Sequence, residues 1–125
     1  MIVAVVGVGL IGGSVGLAAR SRLGATVRGF DPRADEAVAR GAIHSAHRDL
    51  GDALDGADAA FVAVPVDALA ETVATVLAQA PRTCVVTDVG STKRTVMGAA
   101  ADPRFVGGHP LAGSEAAGVE HARED

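Results

Sequence analysis

Gly7-Val8-Gly9-Leu10-Ile11-Gly12 is the stretch of sequence that decides the fold. It directly follows the apolar run Ile2–Val6, which reads as a buried strand, and it opens a helix-period segment from Leu10 to Ser21. A strand, a glycine-rich turn and a helix in this order begin a dinucleotide-binding βαβ unit. Asp31 lies 19 residues beyond Gly12. Such a unit carries an acidic residue at about this distance, at the end of its second strand.

Each position of the glycine turn has a physical role in that interpretation. Gly7 permits the sharp turn, Gly9 lets a pyrophosphate approach the backbone, and Gly12 lets the helix pack closely on the strand. The amides that begin the helix, including those of Leu10 and Ile11, then meet the phosphates at the positive end of the helix dipole. The turn therefore predicts binding of a dinucleotide.

Asp31 predicts which dinucleotide binds. Its carboxylate is expected to accept hydrogen bonds from both ribose hydroxyls of the adenosine, and it would repel a 2′-phosphate. NAD is therefore favoured over NADP, although Arg33, two residues further on, would soften the preference.

The rest of the chain alternates short apolar runs with longer helix-period segments. The predicted strands are Ile2–Val6, Ala25–Phe30, a weakly marked one near Ile43, Ala59–Val64, Thr83–Thr87 and Arg104–Val106; the predicted helices are Leu10–Ser21, Asp35–Arg40 and Asp67–Ala80, with Asp67 as N-cap of the last. Strands without polar alternation, separated by helices, indicate a parallel sheet covered on both faces. We expect an α/β fold of the Rossmann type, doubly wound and mainly parallel, spanning residues 1–125 as one dinucleotide-binding domain.

Composition excludes several classes of partner. The chain has 125 residues, 49% of them hydrophobic, and a formal net charge of −4 with no block of one sign. This mild acidity gives no reason to expect nucleic acid or an anionic membrane. The single cysteine, Cys84, lies in an apolar run and is expected to be a buried strand thiol. We expect a cytoplasmic protein without a transmembrane segment, and no metal site.

Two loops at strand ends follow on the same edge of the sheet. Val64 and Pro65 end the fourth predicted strand and should line the path of the cofactor. His109 lies just beyond the last strand, between glycines and a proline. The ends of these late strands flank the nicotinamide half of a dinucleotide site, where oxidation of an alcohol needs a base that titrates near neutrality. The other histidines, His44, His47 and His121, match no motif and are expected to be solvated.

Three blocks together resemble the prephenate/arogenate dehydrogenase family. They are Gly7–Ser14, Thr87–Lys93 (Thr-Asp-Val-Gly-Ser-Thr-Lys) and Gly107–Glu115 (Gly-Gly-His-Pro-Leu-Ala-Gly-Ser-Glu), and their order and spacing match through nearly the whole chain. The first block is shared by many dehydrogenases, whereas the combination with the other two is much more specific.

The resemblance implies an NAD-dependent oxidative decarboxylation in tyrosine biosynthesis. Prephenate gives 4-hydroxyphenylpyruvate, or arogenate gives tyrosine, with loss of carbon dioxide. By the resemblance, His109 accepts the proton of the ring hydroxyl while hydride leaves the same carbon, and Ser91 hydrogen-bonds both the histidine and that hydroxyl. Lys93 and Glu115 match family positions as less certain substrate-binding residues.

The resemblance also implies a part of the protein beyond this chain. Family members continue into an all-helical domain that forms a homodimer and supplies an arginine for the substrate carboxylates. We therefore expect the chain to be truncated before that C-terminal helical domain.

Two other functions stay open at this point. One is another small-substrate NAD(P) dehydrogenase on the same fold, and the other is a non-catalytic NAD-binding module. Testing prephenate and arogenate side by side would settle the substrate, and turnover by the complete gene product would separate an enzyme from a sensor.

Overall fold

The computed structural model describes residues 1–90, 101–108 and 118–124. In chain order the elements are β1 (Ile2–Val6), α1 (Leu10–Leu23), β2 (Thr26–Phe30), α2 (Ala34–Arg40), β3 (Ser45–His47), α3 (Leu50–Leu54), β4 (Ala59–Val62), α4 (Val66–Gln79), β5 (Val85–Asp88), β6 (Phe105–Val106) and a 3-10 turn (Val119–His121).

The six strands form one sheet in the order β3-β2-β1-β4-β5-β6. Every pair of neighbours is parallel, and in the centre Val5 of β1 pairs with Gly29 on one side and Phe61 on the other. The strand order reverses beside β1, and such a switch point is where doubly wound sheets bind ligands at the carboxyl ends of their strands. The prediction of a doubly wound parallel sheet is confirmed.

Alternate residues of β1 enter two separate cores. Val3 and Val5 pack on the face covered by α1 and α2, whereas Ala4 and Val6 pack on the face covered by α3 and α4. Because both faces of the sheet are covered, the central strand has no polar position, as the unbroken apolar run predicted.

The C-terminal 3-10 turn folds back onto the first helix. Val119 and Ala122 are buried, and a Cβ built at Gly13 would come within 2.7 Å of Val119 Cγ2. The backbone N–H of Arg123 donates to Ser14 Oγ at 2.9 Å. A glycine is therefore needed at position 13, directly after Gly12, so that this turn can pack on α1.

Arg104 ties the edge strand β6 to the end of α4. Its guanidinium donates to the carbonyl oxygen of Leu77 at 2.6 Å and to those of Ala80 and Pro81 at 3.2 Å. It also pairs with Asp102 at 2.9 Å. A cation at this position satisfies carbonyl groups that a helix C-terminus leaves without partners.

The structure corrects several predicted elements. Asp67 is not the N-cap of α4: the helix starts at Val66, Pro65 precedes it, and Asp67 lies in its first turn. The third strand, predicted near Ile43, lies at Ser45–His47, and Ile43 is buried just before it. The short helix α3, capped by the side chain of Asp49, was missed. Within the described part of the chain, no helix has the length and apolarity to cross a membrane.

Candidate functional site

The glycine turn connects β1 to α1 at the carboxyl edge of the sheet. Gly7 has a φ of +92°, and a Cβ there would lie 2.6 Å from the carbonyl oxygen of Ala63. A Cβ at Gly12 would collide with the carbonyl oxygen of Gly7 and lie 3.1 Å from Val5 Cγ1. Side chains at Gly7 and Gly12 would therefore push the turn away from the sheet.

Gly9 differs from these two glycines because it faces open space. Among the described residues beyond its two chain neighbours, no heavy atom lies within 4 Å of a Cβ built at Gly9. Packing against the described part of the chain thus does not require a glycine here, whereas close approach of a ligand to the backbone would. This opening is the position where the sequence predicts the pyrophosphate.

The first turn of α1 is arranged to receive an anion. Gly9 precedes the helix without a side-chain cap, and no acidic residue lies in the first turn. The first helical hydrogen bond runs from the amide of Gly13 to the carbonyl of Gly9 at 2.9 Å. The amides of Leu10, Ile11 and Gly12 come before that bond, so they point out of the helix start, where phosphate oxygens are favoured.

Asp31 follows β2 and lies next to the glycine turn. Its Oδ2 accepts a hydrogen bond from the Val8 amide at 2.9 Å, and its Oδ1 accepts one from the Arg33 amide at 2.7 Å. Each carboxylate oxygen can accept more than one hydrogen bond. The side chain can therefore brace the turn and still accept hydrogen bonds from a ribose.

An open cavity of about 300 Å³ lies beside Asp31, at the ends of β2 and β3. Its lining is Phe30, Asp31, Pro32, Ala34, Asp35, Ala46, His47 and Arg48. The cavity adjoins the carboxylate on which the ribose is expected, so its place suits an adenosine. Arg33 is exposed and is not part of this lining.

The three histidines outside the motifs were predicted to be solvated, but two of them make hydrogen-bond contacts within the protein. His47 is half-buried beside the cavity, with Nε2 at 2.8 Å from Ser45 Oγ. His44 is exposed, but its Nδ1 accepts the amide hydrogen of Val27 at 2.9 Å. His121 is exposed, as expected. The His44 contact reaches β2 from the residue before β3, whereas the His47 contact lies within β3 itself.

The end of β4 packs against the glycine turn. Val64 is half-buried, and its Cγ1 would lie 3.0 Å from a Cβ at Gly7. Pro65 is exposed at the start of α4. Both residues thus lie on the edge where the sequence predicts the path of the cofactor.

Asp88 is the site residue to which sequence reasoning gave no role. It ends β5, is fully buried, and accepts hydrogen bonds from the amides of Gly90 at 2.9 Å and Gly108 at 3.2 Å. The available signal was an acidic residue at the end of a mostly apolar strand, two positions before a glycine. Burial of Cys84 in the same segment, as predicted, raises the pKa of its thiol.

The predicted catalytic and substrate-binding residues do not belong to the part of the chain that the structure describes. Ser91, Lys93, His109 and Glu115 lie outside the described residues. Among the residues that are described, no group of three histidine, cysteine or acidic side chains could hold a metal ion.

A family model described as the nucleotide-binding domain of prephenate dehydrogenase matches residues 15–125. The chain belongs to this family. A curated relative, prephenate dehydrogenase of Bacillus subtilis (strain 168), is 35% identical over 130 residues, which cover 94% of this chain and 34% of the relative. The family-model match includes the segments that carry Ser91 and His109, but it begins at residue 15, after the glycine turn. The turn is therefore an independent sign of nucleotide binding.

Two solved structures of the family share the fold over nearly the whole chain. Synechocystis arogenate dehydrogenase superposes with a TM-score of 0.87 at 33% identity, covering 98% of this chain and 45% of its own. Prephenate dehydrogenase from Aquifex aeolicus, in complex with hydroxyphenyl propionate and NAD+, superposes with a TM-score of 0.82 at 29% identity, covering 99% and 46%. The chain thus spans from a third to just under half the length of these relatives. The predicted resemblance to the family is confirmed.

Proposed function

We propose that this chain is the cofactor-binding part of an NAD-dependent dehydrogenase that oxidatively decarboxylates prephenate or arogenate. One observation carries the cofactor assignment: the carboxylate of Asp31 holds the Val8 amide in the glycine turn at 2.9 Å, beside the open backbone of Gly9. A ribose recognition group and a phosphate recognition turn are thereby held together. The NAD+ complex of the Aquifex relative supports the same cofactor.

We propose that the described residues hold the adenosine and pyrophosphate of NAD and line the path toward its nicotinamide. The amides at the start of α1 would hold the pyrophosphate, Asp31 the adenosine ribose, and the cavity beside β2 and β3 the adenine. Val64 and Pro65 would line the path toward the nicotinamide, at the end of β4. Bound NAD supplies the acceptor for the hydride that leaves the substrate ring.

The chemical step is assigned through the family motifs. We propose that His109 takes the proton of the ring hydroxyl as the C–H bond at the same carbon breaks. Loss of the ring carboxylate as carbon dioxide then supplies the electrons that make the ring aromatic, and the phenol oxygen takes up a proton. Ser91 would hydrogen-bond both His109 and the hydroxyl, while Lys93 and Glu115 would contact the substrate.

Prephenate and arogenate remain alternatives within this proposal. They differ in the side chain, a keto acid in one and an amino acid in the other, and the relatives include dehydrogenases named for each. Residues beyond this chain would meet that side chain if the family domain plan applies. The same plan gives the whole protein a homodimer, and we propose a cytoplasmic location.

The test uses the full-length enzyme that contains this chain. Turnover with NAD is measured for prephenate and arogenate side by side, in wild type and in His109→Asn. Asparagine keeps a polar group but cannot act as the base, so kcat should fall roughly 10²- to 10⁴-fold. In wild type, kcat should rise with pH through the ordinary imidazole range near 6.5, and the variant should lose this limb.

The matched control is His121→Asn, because His121 is an exposed histidine in the C-terminal turn. This variant should keep wild-type kcat, and both variants should bind NADH as wild type does. NADH binding without turnover of either substrate would identify an NAD-binding module or a dehydrogenase of another substrate. Unchanged turnover and pH profile in His109→Asn would show that the histidine is not the base.

A further inference from the structure

Asp88 is a buried carboxylate between the two loops that carry the family motifs. Among the described residues, Asp88 is the one acidic or basic residue whose side chain is completely buried. Burying a charge costs free energy unless hydrogen bonds replace the lost water. A fully buried aspartate at the end of β5 therefore needs a reason beyond packing.

Each oxygen of the carboxylate binds a different loop. Oδ2 accepts the amide hydrogen of Gly90, which follows β5, at 2.9 Å. Oδ1 accepts the amide hydrogen of Gly108, which follows β6, at 3.2 Å. The strands are parallel neighbours, so one side chain at the end of β5 reaches both exits. The two chain segments are fixed relative to one another where they leave the sheet.

The two glycines allow this close approach. A Cβ at Gly108 would collide with the backbone carbonyl oxygen of Asp88 and lie 3.0 Å from Thr87 Oγ1. A Cβ at Gly90 would collide with Leu69 Cδ2 and lie 3.0 Å from Asp88 Oδ2. Asp88, Gly90 and Gly108 therefore form one packed unit, here called the Asp88 clamp.

The residues that follow the clamp in sequence give it a role. Ser91 comes directly after Gly90, and His109 directly after Gly108. Neighbouring Cα atoms are about 3.8 Å apart, so holding each glycine limits where the next residue can begin. We infer that Asp88 is a positioning residue that sets Ser91 and His109 in register for proton transfer. This inference rests on the proposed function.

The test compares Asp88→Asn with wild type in the full-length enzyme. Asparagine has nearly the same shape but presents an N–H group to one of the two amide donors, so one loop loses its acceptor. We expect kcat per NADH-binding site to fall roughly 10- to 100-fold, since small displacements of reacting groups have effects of this size. NADH affinity should stay at the wild-type value.

A double-mutant cycle with Ser91→Ala separates positioning from a general structural role. If Asp88 positions Ser91, Ser91→Ala should lower kcat less in the Asp88→Asn background than in wild type. If Asp88 contributed only to stability, Asp88→Asn would lower the melting temperature and the folded fraction. In that case the effects of Asp88→Asn and Ser91→Ala on kcat would simply multiply in the double variant. The matched control is Asp102→Asn, since Asp102 also binds a backbone amide, that of Arg104 at 2.9 Å, but before β6. It should keep wild-type kcat.

Gly108→Ala disturbs the contact between Gly108 and Asp88 from the loop after β6. It replaces Asp88→Asn as the test variant if Asp88→Asn does not fold. It should lower kcat with unchanged NADH affinity. Wild-type kcat per NADH-binding site in the folded Asp88 variant or in Gly108→Ala, or multiplicative effects in the cycle, would overturn the inference while leaving the proposed function intact. A wild-type enzyme that turns over neither substrate would overturn both.

Discussion

The carboxylate of Asp31 accepts a hydrogen bond from the backbone amide of Val8 at 2.9 Å. These residues are 23 positions apart, one at the end of β2 and the other in the turn after β1. Parallel pairing of the two strands brings them together. The acidic residue expected to select the cofactor thus also holds the turn that is expected to bind its phosphates.

Cofactor preference should depend on the charge of Asp31. Wild type should bind NADH at least ~10-fold more tightly than NADPH, a difference of about 1.4 kcal/mol. Asp31→Asn should reduce this ratio, because a neutral side chain no longer repels the 2′-phosphate. It should also weaken NADH binding, since asparagine keeps only one of the two acceptor oxygens that bind the Val8 and Arg33 amides. Fluorescence titration measures both ligands with little background, as the chain has no tryptophan or tyrosine.

Asp55→Asn is the matched control for cofactor choice, because it changes the net charge equally at an exposed position after α3. It should leave the ratio at its wild-type value. Equal affinity of the wild type for the two cofactors would contradict the role of Asp31.

Two glycines of the turn should respond differently to substitution. Gly9→Val should keep the wild-type melting temperature, because space is open at its Cβ, yet weaken NADH binding by more than ~10-fold. Gly12→Ala should destabilise the fold by about 1–3 kcal/mol, because its Cβ would overlap the carbonyl of Gly7. Thermal unfolding and NADH titration of both variants check the contrast. Unchanged NADH affinity in Gly9→Val would place the dinucleotide elsewhere.

The Asp102–Arg104 pair should contribute to acid sensitivity. Side-chain hydrogen bonds from Arg104, and then the backbone one, lower the pKa of the Asp102 carboxyl. A lowered native pKa stabilises the fold fully above the ordinary aspartate value of about 3.9, and this stabilisation is lost as the pH falls through the native value. Asp102→Asn should therefore lower the free energy of unfolding at pH 7 and make it fall less toward pH 3.

Urea unfolding at several pH values measures this difference for the Asp102 variant. Arg82→Gln, a change at an exposed arginine before β5, should leave the curve near that of wild type. Parallel curves for wild type and Asp102→Asn down to pH 3 would show that the pair adds no pH-dependent stability.

The start of the chain was predictable because its signals are local. β1 lies at Ile2–Val6 as predicted, and α1 begins at Leu10. An apolar run too short for a helix, followed by glycines, leaves few alternatives for the backbone. The helix continues past the predicted end at Ser21 to Leu23, where Gly24 adopts a left-handed φ of 62°.

The later elements were harder to predict because their local signals are weak. β3 has three residues, all half-buried, and its position follows from pairing with β2 rather than from its own pattern. Asp67 has the chemistry of an N-cap, yet the helix begins one residue before it. Propensity therefore indicated the presence of α4 but not the residue at which it starts.

The sequence by itself determined the parallel α/β fold, the glycine turn and the acidic residue that follows it, because these depend on local periodicity and on the stereochemistry of glycine. The tertiary structure alone decided what Asp31 and Asp88 bind within the protein. Asp31 reaches Val8, and Asp88 reaches Gly108, across neighbouring parallel strands. Such contacts depend on strand order and register, which bring distant segments to the same edge of the sheet.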